Sequence, residues 1–186
     1  MRLILFCALA LSVFSAYADK VEPRFEASSP DIPAGHSIPQ EFVFNSFGCT
    51  GNNVSPAISW KHAPKGTQGF AVTVHDPDAP TGGAGFWHWI VINLPSTLTG
   101  LARGDGASNS THLPPGSMQI ANDYGQAAWG GPCPPVGNKP HHYNFTVYAL
   151  KKALTVPAGA SASYVGFMIN SNALATAKFT AMYGRK

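Results

Sequence analysis

Two short segments hold most of the side chains that could do chemistry. The first is Asp76-Pro77-Asp78-Ala79-Pro80, with Phe86-Trp87-His88-Trp89 following soon after. It sets two carboxylates two residues apart between prolines that restrict the backbone. The second is Gly130-Gly131-Pro132-Cys133-Pro134-Pro135-Val136-Gly137, followed by His141-His142-Tyr143. A rigid Gly/Pro loop can hold a backbone N–H outward toward an anion without reorganising. Two imidazoles, a phenol and such an N–H are donors suited to phosphate oxygens. Asp76 could orient a histidine proton or keep an imidazole charged. The expectation is that Asp76, His88, His141 and Tyr143 line one small polar pocket. Each fragment also has a plainer reading, the first as a tight turn and the His-Trp pair as packed core.

Strand ends must bring these segments together. Period-2 patterning with β-branched and aromatic residues marks strands at Glu41–Phe47, Gly69–His75, Trp87–Leu94 and Tyr143–Leu150, with a last short one at Lys178–Tyr183. Gly/Pro-rich loops separate them: Ser29–Pro39, Gly48–Pro56, Asp76–Gly85, Gly100–Gly116 and Gly130–Pro140. A helical pattern runs over Ser161–Ala177, where Val165, Met168, Ile169 and Leu174 recur at three- and four-residue steps. Strands, long loops and one late helix predict a mostly β fold, a sandwich or Greek-key sheet pair.

Composition narrows the class. Charged residues are 11% of 186, while hydrophobic residues are 45%, enough to bury a real core. Nineteen Gly and sixteen Pro argue against a coiled coil or long-helix bundle. The net charge of +3, with scattered basic residues, argues against nucleic acid as a partner. The N-terminus has Arg2, an apolar run from Leu3 to Phe14 and then Ala16-Tyr17-Ala18, the layout of a cleaved secretory signal peptide. The run is short for a stable membrane span. Residues 1–18 are therefore read as signal peptide, residues 19–186 as a single domain, and the location as periplasmic or secreted. Cleavage leaves Cys49 and Cys133, which in an oxidising compartment are either a disulfide or two buried thiols.

Beyond these fragments, the chain resembles the phosphatidylethanolamine-binding protein (PEBP) family, and within it the secreted form of the bacterial Raf kinase inhibitor-like branch. The resemblance rests on Phe47-Gly48-Cys49-x-Gly51-x-Asn53-x-Ser55-Pro56, Asp76-Pro77-Asp78-Ala79-Pro80-Thr81-Gly82, His88-Trp89, Asn122-Asp123-Tyr124-Gly125, Gly131-Pro132-Cys133-Pro134-Pro135-x-Gly137 and His141-His142-Tyr143-x-Phe145. It implies a PEBP-like β-sandwich with Greek-key connections, one or two short helices and a small anion pocket at one end. It also implies pocket roles for Asp76, His88, His141 and Tyr143, a Cys133 N–H facing the anion, apolar walls from Pro77 and Pro135, and a structural role for Asp78 within its own loop. Trp87 stands where mammalian members have a second His. The chain also stops at Lys186, without the longer C-terminal helix that helps gate the mammalian pocket.

The reading adopted is binding of a small anionic, phosphate-bearing ligand or phosphorylated head group such as phosphoethanolamine, without catalysis, cofactor or metal. The alternative is a regulator or inhibitor of a partner protein, a peptidase or kinase, that presents a charged group to the pocket. A hydrolase or metal enzyme built on Asp76, His88 and His141 ranks third, because neither G-x-S-x-G nor H-E-x-x-H occurs. Long β edges could pair two copies into a homodimer.

Overall fold

A computed structural model describes residues 23–186, so the signal peptide read at residues 1–18 lies outside the described residues. The strands are β1 (Glu26–Ser28), β2 (Ile58–Lys61), β3 (Gly69–Asp76), β4 (Phe86–Pro95), β5 (Gly100–Leu101), β6 (Met118–Gln119), β7 (His141–Leu150) and β8 (Ala173–Tyr183). One helix, α1, spans Ala162–Asn172. Two antiparallel sheets form, ordered β1-β2-β5 and β6-β4-β3-β7-β8. Within the larger sheet the spatial order β7-β3-β4-β6 is that of a Greek key, because the chain returns from β6 across two strands to lie beside β3. That long return, residues 120–140, builds much of one end of the molecule.

The larger sheet is covered on both faces, which explains why its central strands read as nearly unbroken apolar runs. Val72, Val74, Trp89, Val91, Tyr143, Phe145, Val147 and Phe179 point inward, toward Ile58 and Trp60 of the smaller sheet. Ala71, Ile90, Ile92, Tyr148 and Leu150 point outward and are covered by Ala162, Val165 and Ile169 of α1. Ser161 caps the helix, its side chain accepting from the Tyr164 N–H.

Two sequence expectations require correction. The helix does not run to Ala177. It ends at Asn172 and passes directly into β8 through the extended Ala173, so Leu174, Ala175 and Ala177 lie on a strand. Alanine suits either conformation, and ten residue pairings with β7 decide for the strand. The expected strand Glu41–Phe47 is instead a 3-10 turn at Gln40–Phe42 followed by irregular chain. Its alternation gave the wrong signal, because Phe42, Val43 and Phe44 are all buried and their backbone bonds go to loops: the Phe44 N–H to Pro132 O, and the Gly51 and Asn53 N–H groups to Phe44 O and Val43 O.

That segment is pressed between two glycines. A Cβ on Gly51 would overlap Val43 O, and one on Gly131 would overlap Phe42 O. Both neighbours are backbone and cannot rotate away. Gly131→Ala is therefore expected to destabilise the fold by about 3 kcal/mol through overpacking. At this size the melting temperature should fall by about 6–12 °C, measured by thermal and urea denaturation.

Candidate functional site

The inward face of the larger sheet turns polar at one end. On β3 the series Val72, Val74 continues to Asp76, and on β7 the series Val147, Phe145, Tyr143 continues to His141, each at the strand period of two. His88 arrives differently. Val74 pairs with Trp89 and His75 with Trp87, leaving His88 as the extra residue of a bulge on β4. The bulge lets Trp89 enter the inner core while Trp87 packs toward the helix side, and it aims His88 into the strand end.

A pocket of about 500 Å³ opens there. Asp76, His88, Cys133, Pro135, His141 and Tyr143 line it, together with Tyr124, Phe86, Phe47 and Pro134. Pro77 is exposed and is not among the lining residues; Pro134 and Pro135 form the proline wall. Asp78 stays out of the pocket. Its N–H donates to Asp76 Oδ1 at 2.8 Å, and its carboxylate accepts from both the N–H and Nδ1 of His142 at 2.7 Å. It therefore ties its loop to β7, a wider role than bonding within the loop.

Four polar side chains make the floor. His141 Nδ1 donates to Asp76 Oδ2 at 2.8 Å, with both side chains buried. His88 Nδ1 lies 2.6 Å from Gly130 O. A carbonyl can only accept, so Nδ1 carries the proton, and burial holds the His88 pKa down at about 4, leaving the ring neutral. Tyr143 OH is buried beside the Asp76 carboxylate but in no well-aligned hydrogen bond to it or to any other described group, and His88 Nε2 is likewise buried without a partner. Burial, reinforced by the Asp76 charge, pushes the Tyr143 phenol far above its usual range, so it stays protonated. Among the described residues no acceptor takes the Cys133 N–H.

The walls come from residues that fragment-by-fragment reading did not place. Asn122 organises the β6–β7 connection: its amide donates to His88 O and Ala128 O, and its oxygen accepts from the Tyr124 and Gln126 N–H groups. This seats Tyr124 against Phe44 and Phe86, with ring centroids 4.0 and 4.7 Å away, and its hydroxyl donates to Gly131 O. The sequence signal was Asn122-Asp123-Tyr124-Gly125, where Asn before a Gly-containing turn favours side chain to backbone bonding. Asn53 bridges similarly, accepting from the Gly131 N–H and donating to Trp129 O.

Cys49 and Cys133 form a disulfide across 84 residues, joining the Phe47–Gly51 loop to the proline wall. The chain-entropy model assigns a loop of that length about 4–5 kcal/mol. Such a bridge persists in oxidising, extracytoplasmic compartments. Arg185 adds a second clasp, its guanidinium donating to Pro134 O and Gly48 O.

A family profile described as phosphatidylethanolamine-binding protein matches residues 28–184. The chain belongs to that family. YbcL of Escherichia coli K12 is 47% identical over 182 residues, 97% of both chains. Its crystal structure, described as that of a new member of the mammalian PEBP family, superposes with a TM-score of 0.84 at 48% identity, covering 87% of this chain and 99% of that one. YbhB of the same organism is 43% identical over 156 residues, 83% of this chain and 97% of its own. LppC of Mycobacterium tuberculosis, named as a candidate lipoprotein, is 40% identical over 134 residues, 72% of this chain and 59% of its own. The PEBP fold accounts for the sandwich with its one helix, as the sequence resemblance implied.

Neutral, buried His88 also makes stability depend on pH. Its folded pKa lies below the ordinary 6.5, so the unfolded chain takes the proton first. This contribution is complete above about pH 6.5, is lost as pH falls toward 4, and changes no further below that. Urea unfolding from pH 7 to 4 should show about 3 kcal/mol of loss that His88→Asn removes.

Proposed function

We propose that this PEBP-family chain binds a small phosphate-bearing anion in the pocket, without catalysis. The observation that supports it most is the unpartnered Tyr143 hydroxyl, buried at the floor of a wide, apolar-walled cavity. A buried donor left unpaired costs about 1–3 kcal/mol, and a ligand oxygen would relieve that cost. The Cys133 N–H supplies a second donor, and the Asp76–His141 pair fixes the floor.

The non-catalytic reading rests on the surroundings of that pair. His141 Nε2 lies 3.4 Å from the Asn138 amide, not from a hydroxyl or thiol that it could activate. Among the described residues no three His, Cys, Asp or Glu side chains are arranged to hold a metal ion. The disulfide and the relative named as a candidate lipoprotein support a location in the periplasm or outside the cell, reached through the signal peptide at residues 1–18.

A second reading, docking of a partner protein over the pocket, draws on Phe47. This aromatic residue is 73% exposed at the pocket wall and has φ of 52°, a left-handed backbone that costs a non-glycine residue about 1 kcal/mol. Val136, next to the proline wall in sequence, is also exposed. Stoichiometric capture of an envelope protein by the wild type, lost in Phe47→Ala, would favour this reading.

Isothermal titration with phosphoethanolamine tests the main one. Tyr143→Phe and His141→Ala should each weaken binding about tenfold. Tyr143→Phe should raise the stability of the ligand-free protein by about 1–3 kcal/mol, because it removes a buried donor left without a partner. Unchanged affinity in both variants would sink the assignment.

A further inference from the structure

The donors at the pocket floor are accompanied by an acceptor. The sequence suggested that both imidazoles would donate to an anion. In the structure His88 spends its only proton on Gly130 O, 2.6 Å away. Its other nitrogen, Nε2, is a bare lone pair, buried and without a partner. His88 itself is 2% exposed, on a bulge locked by the Gly130 N–H to His88 O bond and by the Asn122 amide. These bonds fix the backbone beneath the ring, and a ring flip would break the Nδ1 bond to Gly130 O. A fully deprotonated oxyanion brought against Nε2 would set lone pair against lone pair.

The groups around His88 point the same way. Asp76 and His75 approach from β3, Tyr143 and His141 from β7, and Tyr124 and Asp123 from the β6–β7 connection. None is a lysine or arginine. Asp76 is the buried carboxylate of the floor, its oxygens taken by His141 Nδ1 and the Asp78 N–H. Asp123 lines the pocket from an exposed position, and Arg185 acts on Tyr124 from the C-terminal segment. A second negative charge on a ligand would meet Asp76 at close range, in a site of low dielectric.

Accepting the anion-binding reading above, we propose that the pocket selects an oxyacid that still carries one proton. The ligand's P–OH donates to His88 Nε2, while its charged oxygen accepts from Tyr143 OH and the Cys133 N–H. The ligand class is a singly protonated phosphomonoester, in preference to a phosphodiester or a sulfate ester. A site with a built-in acceptor discriminates strongly against an analogue lacking the matching donor, because the buried lone pair then stays unpaired.

The wild-type protein suffices for the test. At pH 5.5 phosphoethanolamine and 2-aminoethyl hydrogen sulfate carry the same charge on their ester groups, and only the phosphate has an O–H. Phosphoethanolamine is expected to bind at least tenfold tighter than the sulfate ester. Glycerophosphoethanolamine, a diester with the same head group, should also bind at least tenfold more weakly. Phosphoethanolamine affinity should be nearly level below the ligand's second pKa of about 6 and fall about tenfold per pH unit well above it. Nitrogen-15 NMR of the His88 ring should show Nε2 unprotonated in both free and phosphoethanolamine-bound protein at pH 5.5. Equal binding of the three compounds, or a protonated Nε2 in the complex, would overturn the proposal and leave the anion site standing. No binding of any of them at millimolar concentration would overturn the anion site, and this proposal with it.

Discussion

The pocket end is governed by the cost of placing polar groups on the inner face of a sheet whose other face is also covered. Asp76, His88, His141 and Tyr143 all lie on strands of that sheet and are all buried. An unpaired polar group in such a place costs about 1–3 kcal/mol, and a bare charge more. The fold keeps that cost tolerable in two ways. It confines the polar set to the strand ends, and it commits most of its atoms: Asp76 to His141 and the Asp78 N–H, His88 Nδ1 to Gly130. Tyr143 OH and His88 Nε2 are left over, and these two atoms give the pocket its chemical character.

Holding that set in register requires the loops. Gly131 and Gly51 let the Phe42–Phe44 segment pass between two loops at backbone contact distance. Asn53 and Asn122 then spend their side-chain amides on loop backbone, a substitute for sheet pairing where the chain has none. The disulfide and Arg185 close the outer edge by clasping the Phe47–Gly51 loop to the proline wall, both of which line the cavity. The C-terminal segment acts on the pocket wall through the Arg185 guanidinium and through Arg185 O, which accepts the Gly137 N–H.

PEBP-family membership and pocket chemistry are separate conclusions with separate supports. Membership rests on a match running through nearly all the described chain and on a relative with the same fold at 48% identity. The chemistry rests on individual atoms. Apolar walls and a neutral histidine give this pocket a floor without lysine or arginine. Such a site reads hydrogen-bond pattern more than charge.

Much was legible in the residues themselves. The period of two carried β3, β4 and β7, and it set Asp76 on the inward face with Val72 and Val74, and His141 and Tyr143 with Phe145 and Val147. Alternation is a local property, so a local reading captures it. The Glu41–Phe47 segment misled for the converse reason: a segment buried by loops on both sides mimics a strand without being one. The alanines after α1 were equally undecided until β7 paired with them. Only tertiary structure could decide which proton His88 keeps and where. That depended on a bulge in strand pairing and on a carbonyl 42 residues along the chain, brought within 2.6 Å by the return from β6 to β7. The sequence determined which groups could meet an anion, and the long-range fold decided which of them donates and which accepts, because a tautomer is set by the partner that packing supplies.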